Sequence, residues 1–331
     1  MAEPSASFWY TLCRWLGIPA PHGRWVEGGA RSARGMLAIA PLVPARREYR
    51  LYVPRGYSRW RRSAMIVLCH GCRQTPEAFA QGTRIAAVAD ARRWLVLTPR
   101  QRNDANAWSC WNWFDPATER GAGEAAIVAK MAARLARRFR ADRGRVFVAG
   151  LSAGGGLAAV LGVRHPDVFC GVVVHSGLAC GAAGSPLGAT TAMARGPQAD
   201  VTATGRAAHR DGLRVPLLAI HGMADDVVAP RNATAVVRQF LALNGFDIDD
   251  DELPVASVDS DVPAHDAGDA PVHDAGDAPA HDAGDARAQH ADREALAMAQ
   301  HPMRVRDWRD ARGLVARLVE ICGLAHAWSC G

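Results

Sequence analysis

The chain has 331 residues, of which 49% are hydrophobic and 22% charged, as expected for a globular protein with a sizeable core. No apolar run approaches the roughly 18 residues that span a bilayer, so no membrane association is expected. Residues 1–17 lack a basic segment followed by an apolar core and a cleavage site, so no signal peptide is predicted. We therefore expect a cytoplasmic protein with reduced thiols.

The net charge of +6 is carried almost entirely by arginine. Arginines cluster between residues 134 and 145, which is one property of a nucleic-acid-binding surface. However, Ile127, Met131, Leu135 and Phe139 recur every four residues, which favours a helix with one buried face and a solvated face that carries the arginines. No nucleic-acid motif accompanies the charge, so no nucleic-acid partner is expected.

Eight cysteines occur in the chain, and only Cys69 and Cys72 have the C-x-x-C spacing of a metal site. Neither a second C-x-x-C pair nor a histidine pair at metal-ligand spacing accompanies them. We therefore expect no zinc site. Nothing in the composition indicates an oligomeric state.

Short apolar strands alternate with amphipathic helices from Arg47 onward. Strands are predicted at Tyr49–Pro54, Met65–Leu68, Trp94–Thr98, Val146–Ala149, Phe169–Val174 and Val215–Ile220. Helices are predicted at Phe79–Arg92, Glu124–Arg140, Ala153–Arg164 and Arg231–Leu243. This alternation is typical of the α/β class, with a mostly parallel sheet covered by helices on both faces. Residues 1–45 have no clean period and are predicted to be an N-terminal extension that covers the core.

Residues 247–303 interrupt the single domain predicted for residues 46–331. They contain three copies of an eight-residue unit, at 263–270, 271–278 and 279–286. Each copy has a histidine beside an aspartate (His265, His273 and His281), which allows a metal-binding interpretation. The composition is acidic and rich in Pro, Gly and Ala, which favours a disordered, low-complexity insert.

The most informative motif is a G-x-S-x-G pattern, Gly150–Gly154, directly after the strand Val146–Ala149. A sharp turn from strand to helix lifts a serine hydroxyl clear of the sheet, where a histidine can take its proton. Glycines on both sides let the backbone turn without a Cβ clash. The alternative is a glycine-rich turn that carries no chemistry. Ser152 is the candidate nucleophile.

A carboxylate and a histidine follow Ser152 in the order Ser, Asp, His. Asp225, with Asp226 as the alternative, lies in the loop after a predicted buried strand, where it could orient an imidazole. His326 lies in the loop after the apolar stretch Leu314–Ile321 and is the candidate base.

The oxyanion hole of such a site needs two backbone N–H donors. Ala153, which follows the nucleophile, is one candidate, and Cys72, in the loop after strand Met65–Leu68, is the other. His175 precedes the aspartate and is therefore not expected to be the base. His70 and His221 each precede a glycine at a strand end and are expected to support loops.

Eight segments occur in the order found in one family and span most of the chain. They are YRLYVPRGY (49–57), HGCRQTPEAFA (70–80), CWNWF (110–114), GLSAGG (150–155), HPDVF (165–169), HSGLACGAA (175–183), HGMADDVVAP (221–230) and LAHAWS (324–329). They resemble the polyhydroxybutyrate-depolymerase-like esterases, an α/β-hydrolase family that includes feruloyl and acetylxylan esterase relatives. CWNWF and the HAWS ending are far more specific than G-x-S-x-G.

This resemblance implies hydrolysis of short acyl or hydroxyacyl esters, such as 3-hydroxybutyrate oligomers, without a metal or organic cofactor. It implies a nucleophile, acid and base at Ser152, Asp225 and His326, and an oxyanion hole at Cys72 and Ala153. The chemistry would run through an acyl-enzyme. The substrate partner would be a small ester or a hydroxyacyl oligomer.

The resemblance also suggests roles for aromatic and cysteine side chains. Trp111, Trp113 and Trp328 are candidates to line an acyl slot, with core packing as the alternative. Cys72 and Cys110 are candidates for a disulfide beside the oxyanion hole. Many family members are secreted, but without an export signal free thiols are favoured.

The chain departs from the family pattern near His326. Cys330 replaces a glycine, and five residues follow His326. A base on a fraying terminus loses its orientation, so the alternative function is a catalytically weak or inactive homologue. Metal binding by the octads is a minor alternative.

Overall fold

A ten-stranded sheet organises the part of the chain that the structure describes. The structure is a computed structural model and describes residues 23–31, 46–106, 108–248, 253–263 and 301–329. The strands are β1 Arg24–Arg31, β2 Arg46–Val53, β3 Met65–Cys69, β4 Leu95–Pro99, β5 Val146–Leu151, β6 Gly171–His175, β7 Leu217–Gly222, β8 Val258–Val262, β9 Met303–Asp310 and β10 Gly313–Ile321. Their order in the sheet is β1-β2-β4-β3-β5-β6-β7-β10-β9-β8.

The six central strands, from β4 to β10 in the sheet order, run parallel, and an antiparallel pair extends each edge. The chain continues from β3 to β4 on one side and then returns to β5 on the other. Parallel sheets bind ligands at the carboxyl ends of strands where the strand order reverses. A ligand site is therefore expected at the loops that follow β3 and β5.

Helices pack on both faces of the sheet. They are α1 Pro76–Gly82, α2 Ile85–Arg92, α3 Pro116–Glu119, α4 Gly123–Arg138, α5 Ala153–Arg164, α6 Pro186–Arg195, α7 Val201–Ala208 and α8 Arg231–Leu243. The larger core joins side chains of α4, α5 and α8 to one face of the strands, and a smaller cluster joins α1 and α2 to the other. Alternate strand residues such as Leu97 and Val96 enter the two clusters, as the two-residue period of a strand requires.

The predicted α/β class is confirmed, and α5 and α8 have the predicted bounds. The first arginines of the cluster lie on the exposed face of α4, since Ile127, Met131 and Leu135 are buried while Arg134 and Arg138 are exposed. The others follow the end of α4 at Arg138. Among the described residues, none of the helices combines the length and the apolar character that crossing a bilayer requires.

The structure differs from the predictions at several places, of which three change how the chain is divided. The helix predicted over Phe79–Arg92 is two helices, because Arg84 adopts a left-handed conformation (φ 48°) between α1 and α2. Strand β1 lies inside the predicted N-terminal extension and pairs with β2. Strand β8 lies inside the segment predicted to be an insert, residues 247–303, and pairs with β9. The octad histidines lie outside the described residues.

Candidate active site

The G-x-S-x-G segment forms the sharp turn between β5 and α5 that its sequence predicts. Ser152 has φ 55° and ψ −120°, a conformation that is costly for a residue with a side chain and is found mainly at functional sites. A Cβ on Gly150 would overlap the carbonyl of Gly154, and a Cβ on Gly154 would overlap the carbonyl of Cys69. The Ser152 amide donates a hydrogen bond to the His175 carbonyl oxygen (2.9 Å). The turn therefore requires glycine at both flanking positions and is anchored to β6.

Ser152, Asp225 and His326 come together at the carboxyl ends of β5, β7 and β10. His326 Nε2 lies 3.0 Å from Ser152 Oγ, and its Nδ1 lies 2.8 Å from Asp225 Oδ2 and 3.0 Å from Oδ1. With the proton on Nδ1, the imidazole donates to the carboxylate and accepts the serine hydroxyl. Such an arrangement can transfer a proton from the hydroxyl to the imidazole.

The environment of Asp225 keeps this carboxylate ionised. Burial by itself would raise the pKa of Asp225, but the hydrogen bonds from His326 and from the Val228 amide outweigh it and hold that pKa below its ordinary value. The carboxylate side chain is fully buried, and its Oδ1 accepts from the amides of Val227 (3.0 Å) and Val228 (2.8 Å). The alternative, Asp226, is exposed. Asp225 is thus the carboxylate that the imidazole reaches.

Cys72 and Ala153 are the residues predicted to supply backbone N–H groups beside the serine. Cys72 lines the same pocket as Ser152, and Ala153 is the first residue of α5, where helix N–H groups have no partner within the helix. The amides on either side of Cys72 are occupied, since Gly71 donates to Gln74 Oε1 and Arg73 donates to the Trp108 carbonyl (both 2.8 Å). Within the described residues, the amides of Cys72 and Ala153 donate to no other group. Neither amide is therefore occupied by an acceptor from the described part of the chain.

A disulfide joins Cys72 to Cys110, with 4.2 Å between their Cα atoms. The expectation that these two thiols are free is therefore wrong. The bond ties the loop after β3 to the CWNWF segment. That segment is also held by buried Glu124, which accepts from the Asn112 amide (2.8 Å) and from Gln101 Nε2 (2.6 Å).

The predicted tryptophans divide between the core and the pocket. Trp111 and Trp113 are buried in the main core and are not among the residues that line this pocket, which favours core packing over the predicted acyl slot for both. Trp328 does line the pocket.

A largely apolar pocket of about 630 Å³ opens beside Ser152 and His326. Its apolar wall includes Phe79, Trp108, Met193, Val227 and Trp328. Sequence reasoning missed most of these residues, because they come from separate loops and helices. Phe79 and Val227 lie within segments that carry the family resemblance, and Trp108 lies two residues before another. Met193 lies in none of these segments.

The loop that carries His326 is held by its aromatic neighbours. The Trp328 ring stacks on His175 (centroids 4.9 Å apart) and meets the edge of Phe79 (5.4 Å). His175 Nε2 accepts from the Ser329 amide (3.1 Å), and Ala224 donates to the Leu324 carbonyl (3.1 Å). These contacts fix the segment on both sides of His326.

His175 is fully buried, and burial lowers its pKa to about 3, with further lowering by the nearby His221 and His326. His221 donates from Nε2 to the Val228 carbonyl (2.8 Å), and His70 Nδ1 lies 2.8 Å from the Gly71 carbonyl oxygen. All three histidines contact loops around the site. None of them occupies the position beside Ser152 Oγ that His326 holds.

Comparison with known proteins places this site in a family. A family model described as esterase PHB depolymerase matches residues 47–255, which is more than half of the chain. The chain belongs to this esterase PHB depolymerase family. The predicted family resemblance is thereby confirmed.

Two relatives illustrate the range of this esterase PHB depolymerase family. Poly(3-hydroxyalkanoate) depolymerase C of Paucimonas lemoignei is 32% identical over 202 residues, 59% of this chain and 48% of that protein. Feruloyl esterase B of Neurospora crassa is 30% identical over 208 residues, 59% of this chain and 70% of that protein. The chain thus spans about half the length of the depolymerase. The relatives bear the names of esterases and depolymerases, in agreement with the predicted enzyme class.

A solved structure extends the comparison to the fold. The acetyl xylan esterase from Aspergillus awamori superposes with a TM-score of 0.65 at 16% identity, covering 91% of this chain and 94% of that chain. At 16% sequence identity, this structural similarity is evidence for a shared fold only. The α/β-hydrolase fold that the motifs predicted is confirmed.

Proposed function

We propose that this protein is a serine carboxylic-ester hydrolase that acts through Ser152, His326 and Asp225. The observation that carries the proposal is the chain of contacts from Ser152 Oγ to His326 Nε2 (3.0 Å) and from His326 Nδ1 to Asp225 Oδ2 (2.8 Å) beside an apolar pocket. The family membership and the names of its relatives support the same chemistry.

In the first half of the reaction, Ser152 Oγ attacks the ester carbonyl while its proton passes to His326 Nε2. The carbonyl π electrons move to oxygen, and the amides of Cys72 and Ala153 stabilise the oxyanion. The oxyanion then re-forms the carbonyl, and the C–O bond to the alcohol breaks. The alcohol leaves with the proton from His326, and an acyl-Ser152 ester remains.

In the second half, water takes the place of the alcohol. His326 removes a proton from the water as it attacks the acyl-Ser152 carbonyl, and returns the proton to Ser152 Oγ as the acid leaves. Asp225 keeps the imidazole in one tautomer and stabilises its positive charge in both halves.

The proposed substrates are short-chain acyl or hydroxyacyl esters, such as oligomers of 3-hydroxybutyrate. A pocket of about 630 Å³ with apolar walls accommodates a short acyl chain. One relative is named for poly(3-hydroxyalkanoate) and another for feruloyl esters, and both names support an ester substrate. The two names do not distinguish a hydroxyacyl group from a feruloyl group as the substrate of this protein.

The proposal is tested by comparing wild type and Ser152→Ala on 4-nitrophenyl butyrate. We expect kcat to fall by about 10⁴- to 10⁶-fold, to the background that a site without its nucleophile retains. Ser58→Ala, which alters a serine outside the pocket, is the matched control and should keep wild-type turnover. Equal turnover by wild type and Ser152→Ala would contradict the proposal.

A serine-directed fluorophosphonate separates a working site from the weak homologue that the sequence left as an alternative. A reactive Ser152 should be labelled in the wild type and not in Ser152→Ala, with the label located by mass spectrometry. A folded wild-type protein that remains unlabelled would favour the inactive homologue.

A further inference from the structure

One permanent positive charge lies at the mouth of the otherwise largely apolar pocket. Arg73 lines the pocket together with Ser152 and His326, and its side chain is exposed. Among the described residues that line the pocket, His326 is the one other residue whose side chain can carry a charge. A guanidinium remains charged at every ordinary pH, so the pocket presents a fixed cation to its ligand.

Arg73 is positioned by the residues around it. Its amide donates to the Trp108 carbonyl (2.8 Å), and its guanidinium lies 5.4 Å from the centroid of the Trp108 ring. The disulfide between Cys72 and Cys110 joins the two segments immediately beside this contact. Arg73 also has a left-handed backbone (φ 59°), which is uncommon for a residue with a long side chain and occurs often at ligand sites.

The charge of Arg73 is not neutralised within the described residues, where it forms no ion pair. Two other arginines that lie over tryptophan rings differ in this respect. Arg50, over Trp25, lies 3.6 Å from a carboxylate oxygen of Glu27, and Arg306, over Trp308, lies 3.0 Å from one of Glu320. Arg73 therefore has its hydrogen-bond donors available to a ligand.

We propose that Arg73 binds a carboxylate carried by the substrate, so that the protein prefers esters of hydroxycarboxylic acids with a free acid end over neutral esters of the same length. This inference rests on the proposed hydrolysis at Ser152. A guanidinium matches the planar geometry of a carboxylate and can bind both oxygens. Because Arg73 directly follows Cys72, the proposed oxyanion donor, the carboxylate would lie only a few bonds from the ester that is cleaved.

The test uses two dimers of 3-hydroxybutyrate that differ at one end, one with the free carboxylate and one with a primary amide in its place. For wild type we expect kcat/KM to be roughly 10- to 100-fold higher for the carboxylate, the range of a charged hydrogen bond. In Arg73→Gln this ratio should fall to about one, and Arg73→Lys should retain part of it. Arg138→Gln removes the same charge outside the pocket and should keep the wild-type ratio.

Two outcomes separate this inference from the proposed function. If hydrolysis depends on Ser152 but the two dimers react equally, or if Arg73→Gln keeps the preference, the role of Arg73 is overturned and the esterase stands. If hydrolysis does not depend on Ser152, the binding of 3-hydroxybutyrate, which carries a carboxylate and no ester, is measured calorimetrically with wild type and Arg73→Gln. Binding that weakens about tenfold or more in Arg73→Gln supports the anion site, and equal binding overturns it.

Discussion

The two loops that meet at the candidate site, the Ser152 turn and the His326 loop (residues 322–329), are fixed by different means. The Ser152 turn is fixed by its backbone, because Gly150 and Gly154 lie against other backbone carbonyls where no side chain fits. The His326 loop is fixed mainly by side chains, through the stacking of Trp328 on His175 and the contact of His326 with Asp225.

This difference means that the two loops should respond differently to substitution. A side chain added in the Ser152 turn would meet backbone atoms that cannot move aside, so we expect it to cause a large loss of activity. Loss of one ring contact in the His326 loop leaves the other contacts in place. We therefore expect the loop to be ordered for a smaller fraction of the time, while the fold is unchanged.

The largest effect is expected from Gly150→Ala. The new methyl would overlap the Gly154 carbonyl, so either β5 or the start of α5 must shift. We expect kcat to fall at least about 100-fold, since a displacement near 1 Å has that effect, and the free energy of unfolding to fall by about 1–3 kcal/mol. Esterase assays and urea denaturation would measure the two effects.

Gly144→Ala is the matched control for this prediction. Gly144 lies outside the site, and a methyl there would meet only Asp142 Oδ1, at an ordinary contact distance of 3.6 Å. The variant should keep wild-type activity. Full activity in Gly150→Ala would show that the turn is more adaptable than its packing indicates.

The Ser152 turn illustrates what the sequence can predict. The period of the strands and helices and the glycine spacing are local signals, and the order of Ser152, Asp225 and His326 can be read along the chain. The fold and family that these features predicted are confirmed. The catalytic roles of the three residues remain predictions. Strand β1 was missed because its sequence, RWVEGGAR, has no clear alternation and its pairing depends on β2.

The His326 loop and the pocket illustrate what the sequence could not predict. The wall of the pocket brings together Trp108, Met193 and Val227 from distant positions, and only the assembled fold shows that they face one space. His175 was set aside because it precedes Asp225 in the chain. Its contact with Trp328 joins residues 153 positions apart, which no local pattern records.

A smaller effect is expected from Trp328→Ala. Each of the two ring contacts of Trp328 contributes about 0.5–1.5 kcal/mol, and a loss of about 1.4 kcal/mol lowers the equilibrium constant for ordering the loop tenfold. We therefore expect kcat to fall by up to about tenfold, because His326 is in place for a smaller fraction of the time. Steady-state kinetics on 4-nitrophenyl butyrate would measure it.

Separate values of kcat and KM distinguish two roles for Trp328, namely anchoring of the His326 loop and contact with the substrate. If Trp328 only contacts the substrate, KM should rise while kcat is unchanged, and the anchoring role would be wrong. Trp60→Ala removes a tryptophan that is 91% exposed and should change neither constant.

The effect that is smallest at neutral pH is the titration of His175, which alters stability only as the pH falls. The pKa of His175 falls from 6.5 to about 3 in the folded protein, mainly because the ring is buried, with His221 and His326 lowering it further and Asp225 acting in the opposite direction. Below pH 6.5 the unfolded chain binds a proton at this position that the folded protein does not bind until about pH 3. The free energy of unfolding should therefore decrease as the pH falls through this range, by up to about 1.4 kcal/mol per pH unit from this residue.

His175→Phe keeps a ring against Trp328 but removes the titrating group, so the fall in stability between pH 6.5 and 4.5 should become shallower. Asp225 cannot account for that change, because its lowered pKa acts only below its ordinary value of 3.8. The pKa of His221 is also lowered by burial, so part of the slope should remain in the variant. Urea denaturation at several pH values would measure the slopes. Parallel curves for wild type and His175→Phe would mean that His175 is protonated in the folded protein as readily as in the unfolded chain, and that the His326 loop is more open to water than its contacts indicate.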